Sequence, residues 1–139
     1  MNEPLTRFVS DAPGAGDDAV LPFQVDALDA RGRLVRLGPV VDTILHRHAY
    51  PAQVARLLGE AIALTALLGA SLKFDGKFQL QTRTDGPVGM LVVDFTAPSS
   101  LRAYARFEAD RIVAGAGTAS LLGNGHLALT IDQGPHMQR

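Results

Sequence analysis

Polar and apolar positions along the chain fall into three textures. From Pro22, Phe23, Val25 and Ala27 alternate with Gln24 and Asp26, the pattern of a half-buried strand. Asp29-Ala30-Arg31-Gly32 has turn chemistry, and Arg33–Leu37 resumes extended. Together they predict a β-hairpin with Gly32 free to take a positive φ. Gly38-Pro39 breaks the second strand. Asp42 is placed to cap a short helix over Thr43–His48, which ends before Pro51. Pro51 suits the first turn of a second, longer helix, about Pro51 to Leu72. In its first half Val54, Leu57, Leu58, Ala61 and Ile62 form one stripe, opposite Gln53, Arg56 and Glu60. Its second half, Ala61–Leu72, is apolar all round apart from Thr65 and Ser71, which predicts burial on every side. Gly59, Ala63, Ala66, Gly69 and Ala70 let other backbones come close. After a turn at Lys73–Gly76, alternation returns in Lys77–Thr84, Val88–Thr96, Leu101–Ala109 and His126–Ile131. Turns fall at Asp85-Gly86-Pro87 and Leu121–Gly125. The fold class is α+β, with a central buried helix packed between antiparallel β-sheet layers.

The hairpin Lys77–Thr96 presents the first candidate surface. With its turn centred on Gly86, Phe78, Leu80, Met90 and Val92 share a core face. The opposite face then carries Lys77, Gln79, Gln81 and Arg83 beside Leu91, Val93 and Phe95. Such a mixed face is either the floor for another element or an adaptable binding surface. A slip of one residue in register exchanges the two faces.

Length and charge narrow the function. With 139 residues the chain has room for one domain, 1–139, and 47% hydrophobic content excludes wholesale disorder. Ser10–Ala19 (SDAPGAGDDA) reads as a mobile loop in which Asp17 and Asp18 are solvated. A net charge of −1 provides no basic field for nucleic acid or an anionic membrane. No signal peptide is evident. The longest charge-free apolar run, Ala61–Leu72, is shorter than a bilayer of about 30 Å requires, so neither nucleic acid nor membrane is an expected partner. The absence of cysteine removes disulfides, thiolate metal sites and cysteine nucleophiles from this chain, and suggests a reducing, cytoplasmic setting. Asp132–Arg139 carries no capping or packing signal, as expected for a fragment of a longer chain.

Candidate chemistry is thin. His46 and His48 are two apart, which does not make a helical metal clasp, and His126 and His136 have no spaced partner; no metal site is expected. Gly115–Ser120 resembles the start of a phosphate loop but lacks the strand, helix and remaining glycine, and reads as a connector. Glu60 is the one acid inside the long helix. Burial would make it a general base, whereas a surface pairing with Arg56 one turn back makes it inert. No catalytic constellation emerges, and the inventory favours a binding domain over an enzyme.

Several segments together resemble one family. They are His48-Ala49-Tyr50-Pro51, Leu67–Gly76 (LLGASLKFDG), Phe78-Gln79-Leu80-Gln81 followed by Asp85-Gly86-Pro87, and Leu122-Gly123-Asn124-Gly125 followed by Leu127 and Thr130-Ile131. From about Phe23 onward, their order and spacing resemble the N-terminal domain of the 33-kDa heat-shock protein family, the redox-regulated holdase chaperones. The resemblance implies an ATP-independent chaperone domain that binds unfolding proteins and dimerises when active. It also implies that zinc and its four cysteines sit in a separate C-terminal domain, absent here, so that this chain itself holds no cofactor. The candidate client-binding residues are Gln79, Gln81, Leu91, Val93 and Phe95. The competing expectation is a hot-dog acyl thioesterase, another wrapped-helix design, with Glu60 as its carboxylate.

Overall fold

Alternation in Lys77–Thr84 puts Phe78, Leu80 and Thr82 on one side of a strand and Gln79 and Gln81 on the other, and the main sheet grows around that strand. The computed structural model describes residues 3–7, 9–10, 18–72 and 75–133. In chain order the strands are β1 (Thr6–Arg7), β2 (Val9–Ser10), β3 (Ala19–Val25), β4 (Ala30–Arg36), β5 (Lys77–Thr84), β6 (Met90–Thr96), β7 (Ser100–Arg106) and β8 (Gly125–Asp132). The α-helices are α1 (Pro39–Leu45), α2 (Ala52–Ser71) and α3 (Thr118–Leu122). Five strands form one sheet in the order β1-β7-β6-β5-β8, antiparallel throughout; β2, β3 and β4 form a second, built on the β3–β4 hairpin.

The long helix packs against the main sheet through β5, β6 and β7, and against β3, β4 and α1 elsewhere. Val54, Leu58, Ile62 and Ala66 meet Leu80, Leu91, Val93, Phe95, Leu101 and Ala103 in a single core that Val20, Val40 and Ile44 complete. This is the expected α+β arrangement of a helix between β layers. The helix is nevertheless not walled off on every side. Leu64 is 46% exposed and Leu68, one turn on, is also exposed. An all-apolar helix face is a necessary sign of burial, not a sufficient one, because it does not report how many neighbours the fold provides. By length and composition α2 is apolar enough to cross a membrane; here its buried stripe forms the core between the sheets.

The central hairpin departs from expectation by one residue. Leu80 pairs with Val93, Thr82 with Leu91 and Phe78 with Phe95, so Leu91, Val93 and Phe95 join Phe78 and Leu80 on the helix side. Residues directly opposite in an antiparallel pair point to the same face, and a one-residue shift transfers every side chain. The cause lies in the turn. Gly86 and Val88 donate their N–H groups to the carbonyls of Leu122 and Leu121 at 3.0 and 2.9 Å, and Thr84 donates to Gly89 at 3.0 Å. Docking against α3 opens the connection, and its centre moves past Gly86.

Two other elements are shifted. The first hairpin turns through a short 3-10 helix at Asp26–Leu28 with Asp29 left-handed (φ 47°), rather than at Gly32. Gly32 lies opposite Phe23, whose ring occupies the space a Cβ would need. The first helix begins at Pro39, three residues before Asp42, and Asp42 does not cap it. Its cap comes from Asp18, whose carboxylate accepts the N–H groups of Gly38 at 2.9 Å and Val40 at 3.1 Å. Asp18 is therefore a helix cap at the end of the expected mobile loop, not a solvated charge; residues 11–17 lie outside the described residues, as do Lys73, Phe74 and 134–139. Removing the cap with Asp18→Ala is expected to cost about 1 kcal/mol, with Asp18→Asn retaining most of it. Urea denaturation midpoints of the three proteins measure the difference, and equal midpoints would refute the capping role.

Candidate functional site

The five residues named from sequence are divided between the two faces of the main sheet. Leu91, Val93 and Phe95 are buried under α2 and present no surface to a partner. Gln79 and Gln81 lie on the opposite, outer face, where Gln81 is opposite Val92. Gln79 Nε2 donates to Asp94 Oδ1 at 2.8 Å, and Arg102 Nε donates to Asp94 Oδ2 at 2.8 Å. Long polar side chains and a bridged carboxylate cover this face, so it is mostly polar.

Apolar exposure is concentrated elsewhere. On the β3–β4 hairpin the register pairs Leu21 with Leu34, Phe23 with Gly32 and Val25 with Ala30, which gathers these residues on one face. At the root of the hairpin, Val20 and Val35 point the other way, into or against the core. The Phe23 face therefore looks outward. Phe23 is 53% exposed, Leu34 and Val25 are exposed beside it, and Leu28 at the tip is 75% exposed. The opposite face near the tip carries Gln24, Arg31 and Arg33, so the projecting arm is apolar on one side and polar on the other. Alternation at Phe23 and Val25 is visible in the sequence. It announces a two-sided strand without saying whether anything covers its apolar side.

A second exposed group comprises Leu64 and Leu68 on α2 and Leu127 and Leu129 on β8. Leu129 is paired with Leu80 and Leu127 with Thr82, which places both on the helix side of the sheet, at its edge.

The opposite edge is elaborately closed. Arg47 donates to the Pro4 carbonyl and to Thr6 Oγ1, both at 2.9 Å, and His48 Nε2 is hydrogen-bonded to the Glu3 carboxylate. The His48 ring packs against Tyr50 and edge-on against Tyr104. The Tyr50 hydroxyl accepts the Ala105 N–H at 3.3 Å. Burial raises the Tyr50 phenol above its ordinary pKa, with the Ala105 bond acting in the opposite direction. The phenol thus stays neutral and serves the strand edge.

Glu60 is exposed, on a shallow groove with Gln53, Arg56 and Ala116. The buried carboxylate a thioesterase would need is not formed there, nor is the expected pairing with Arg56. Among the described residues, no group of three or more His, Asp or Glu side chains is arranged to hold a metal ion.

Comparison with known proteins identifies the lineage. A profile of the family described as Hsp33 protein matches residues 18–139. The 33 kDa chaperonin of Caulobacter vibrioides (strain NA1000 / CB15N) is 48% identical over 136 residues, covering 92% of this chain and 45% of that protein. The 33 kDa chaperonin of Pseudomonas putida is 44% identical over 124 residues, covering 89% and 41%. The crystal structure of the 33 kDa chaperonin (heat shock protein 33 homolog) from Thermotoga maritima shares the fold, with a TM-score of 0.73 over 85% of this chain and 42% of that one, at 23% identity. The chain thus spans less than half the length of these relatives. Their names are those of a chaperone, and the acyl-thioesterase alternative is set aside. With the profile match covering all but the first 17 residues, the chain belongs to the Hsp33 protein family.

Proposed function

We propose that this chain is an ATP-independent holdase domain that captures unfolding proteins on the outward face of the β3–β4 hairpin. The observation that carries the reading is the contiguous exposure of Phe23, Val25, Leu28 and Leu34 on an arm directed away from the core. Holding unfolded chains requires apolar area that accepts many sequences without shaping them. Burying about 200 Å² yields about 5 kcal/mol before the costs of association, enough for weak, repeated capture and too little for permanent binding. Exposed Leu64 and Leu68 extend the apolar area available to a long client.

The reading includes regulation and assembly. In this reading zinc and its cysteines belong to a separate domain. This chain contains no cysteine, so a thiol switch acts on its surface from other residues, in the reducing bacterial cytoplasm, and releases the holding activity under oxidation. The active form is a homodimer, in which two surfaces engage one client and gain from effective concentration. Neither nucleic acid nor membrane takes part.

The test is light scattering from a thermally aggregating client protein, without nucleotide, in the presence of the chain. The chain is expected to slow aggregation, and Phe23→Ser with Leu34→Ser is expected to reduce that protection several-fold while the circular dichroism spectrum is retained. An unprotected client would refute the holdase reading. Full protection by the double variant would refute the hairpin assignment alone.

A further inference from the structure

The junction between α3 and β8 carries a reactive pair, Asn124-Gly125. An asparagine side-chain amide is attacked most readily by the backbone nitrogen of the next residue when that residue is glycine, because no Cβ obstructs the nitrogen. The structure leaves both groups accessible. Asn124 is exposed, and among the described residues its side-chain amide has no hydrogen-bond partner; only its backbone is held. The nitrogen of Gly125 is not held by β5. Asp85 N–H donates to the Asn124 carbonyl at 2.9 Å, which makes Asp85 and Asn124 a hydrogen-bonded pair. The next pair along the ladder, Thr84 and Gly125, is then of the non-hydrogen-bonded kind, and the Gly125 N–H is directed away from β5. Thr84 agrees with this alternation: its N–H donates to the Gly89 carbonyl, on the side away from β8.

We propose that Asn124-Gly125 is a site of spontaneous deamidation, whose acid products unfasten the start of β8 from the turn between β5 and β6. The Gly125 nitrogen loses its proton to hydroxide and bonds to Asn124 Cγ. The Cγ–Nδ2 bond breaks, the amide nitrogen leaves as ammonia, and a cyclic imide remains. Water then opens either carbonyl of the ring. One opening gives aspartate and the other isoaspartate; the net change is amide plus water to acid plus ammonia. The reaction lies within one dipeptide and needs no partner, cofactor or oxidant. Both products disturb the contacts around residue 124. Asp85 Oδ1 accepts the Asn124 N–H at 2.7 Å, so the new carboxylate stands beside one already there. Isoaspartate also lengthens the main chain by a methylene just before Gly125. The ladder has no slack to absorb it, since even a Cβ on Gly125 would overlap the Arg83 carbonyl oxygen. Either the Asp85–Asn124 bond or the Thr84–Gly125 opposition gives way. The neighbouring bonds from Gly86 and Val88 to Leu122 and Leu121 are loosened with it.

The sequence makes the site easy to read, because Asn2 is the only other asparagine. The folded chain is held for days in neutral and in mildly alkaline buffer at physiological temperature, then cleaved with trypsin. The fragment that follows Arg111 is expected to gain the mass difference between an amide and an acid, several-fold faster in the alkaline buffer. An isoaspartate-specific methyltransferase is expected to label it. Asn124→Gln, whose longer side chain closes the ring far more slowly, is expected to stay unmodified and to melt at the wild-type temperature, since the Asn124 amide holds nothing. The aged chain is expected to melt several degrees lower, and so is Asn124→Asp, which carries the charge without the lengthened backbone. An unmodified residue 124 in the folded chain, with conversion in the same chain unfolded by urea, would overturn the site. Equal mass gain in Asn124→Gln would assign the reaction to glutamine and overturn it as well. Full modification of residue 124 with an unchanged melting temperature would overturn the unfastening.

Discussion

Phe95→Ala is expected to destabilise the fold by about 3–5 kcal/mol. The ring is buried on the helix side of β6, opposite Phe78 and directly beneath Gly69 of α2. Gly69 permits that approach, since a Cβ there would overlap the ring. Truncating the ring removes its transfer free energy and leaves a void between two rigid layers, the helix and the sheet, which do not easily collapse onto each other. Domains of this size are stable by about 5–15 kcal/mol, so the loss is a large fraction of the total. The outer-face variant Gln81→Ala is expected to stay within about 0.5 kcal/mol. Urea denaturation of the two variants decides the register of the central hairpin. If Phe95→Ala kept the wild-type midpoint and lost client protection, Phe95 would be a surface contact and the register described here would be wrong.

Gly86→Ala is expected to cost about 3 kcal/mol through forced overpacking. Residues Asp85–Val88 and Leu121–Asn124 form one hydrogen-bonded knot. In addition to the Gly86 and Val88 bonds, Asp85 N–H donates to the Asn124 carbonyl at 2.9 Å and Asn124 N–H donates to Asp85 Oδ1 at 2.7 Å. Arg111 Nη2 donates to the Asp85 carbonyl at 2.9 Å. A Cβ on Gly86 would lie 2.5 Å from the carbonyl oxygens of both Leu121 and Leu122. These are backbone atoms held by their own bonds, and no rotamer change relieves the contact. Gly117→Ala, where a Cβ meets nothing within 4 Å, is the matched control and is expected to be close to neutral. Equal melting temperatures for the two glycine variants would show that the knot yields, and that the turn does not set the register.

That knot joins two of the motifs on which the family resemblance was built. Asp85-Gly86-Pro87 and Gly123-Asn124-Gly125 are 38 residues apart in sequence, taking Gly86 to Asn124. In the fold they bind each other, and Gly86, Gly123 and Gly125 each stand where a Cβ would strike a neighbour. Their reading as turn-forming residues is consistent with these contacts. Which turn they form, and how it is centred, was not legible, because the hydrogen bonds that open it come from α3. The same limit explains Asp18. Its carboxylate caps a helix that starts twenty-one residues later, and no local pattern connects the two.

What the sequence by itself determined is the set of elements and their two-sidedness. Lys77–Thr84 is a strand over the predicted span, the long helix runs Ala52–Ser71 against an expected Pro51–Leu72, and the α+β class follows from both. These features are local, set by periods of two and 3.6 residues, proline, glycine and backbone sterics. The tertiary structure alone decided which side of each element is covered. It buried Leu91, Val93 and Phe95 through a register set by a distant helix, and left Leu64 and Phe23 open because no described element reaches them. Periodicity fixes that a strand or helix has an apolar side; the supply of neighbours, a property of the whole chain, fixes whether that side becomes core or binding surface.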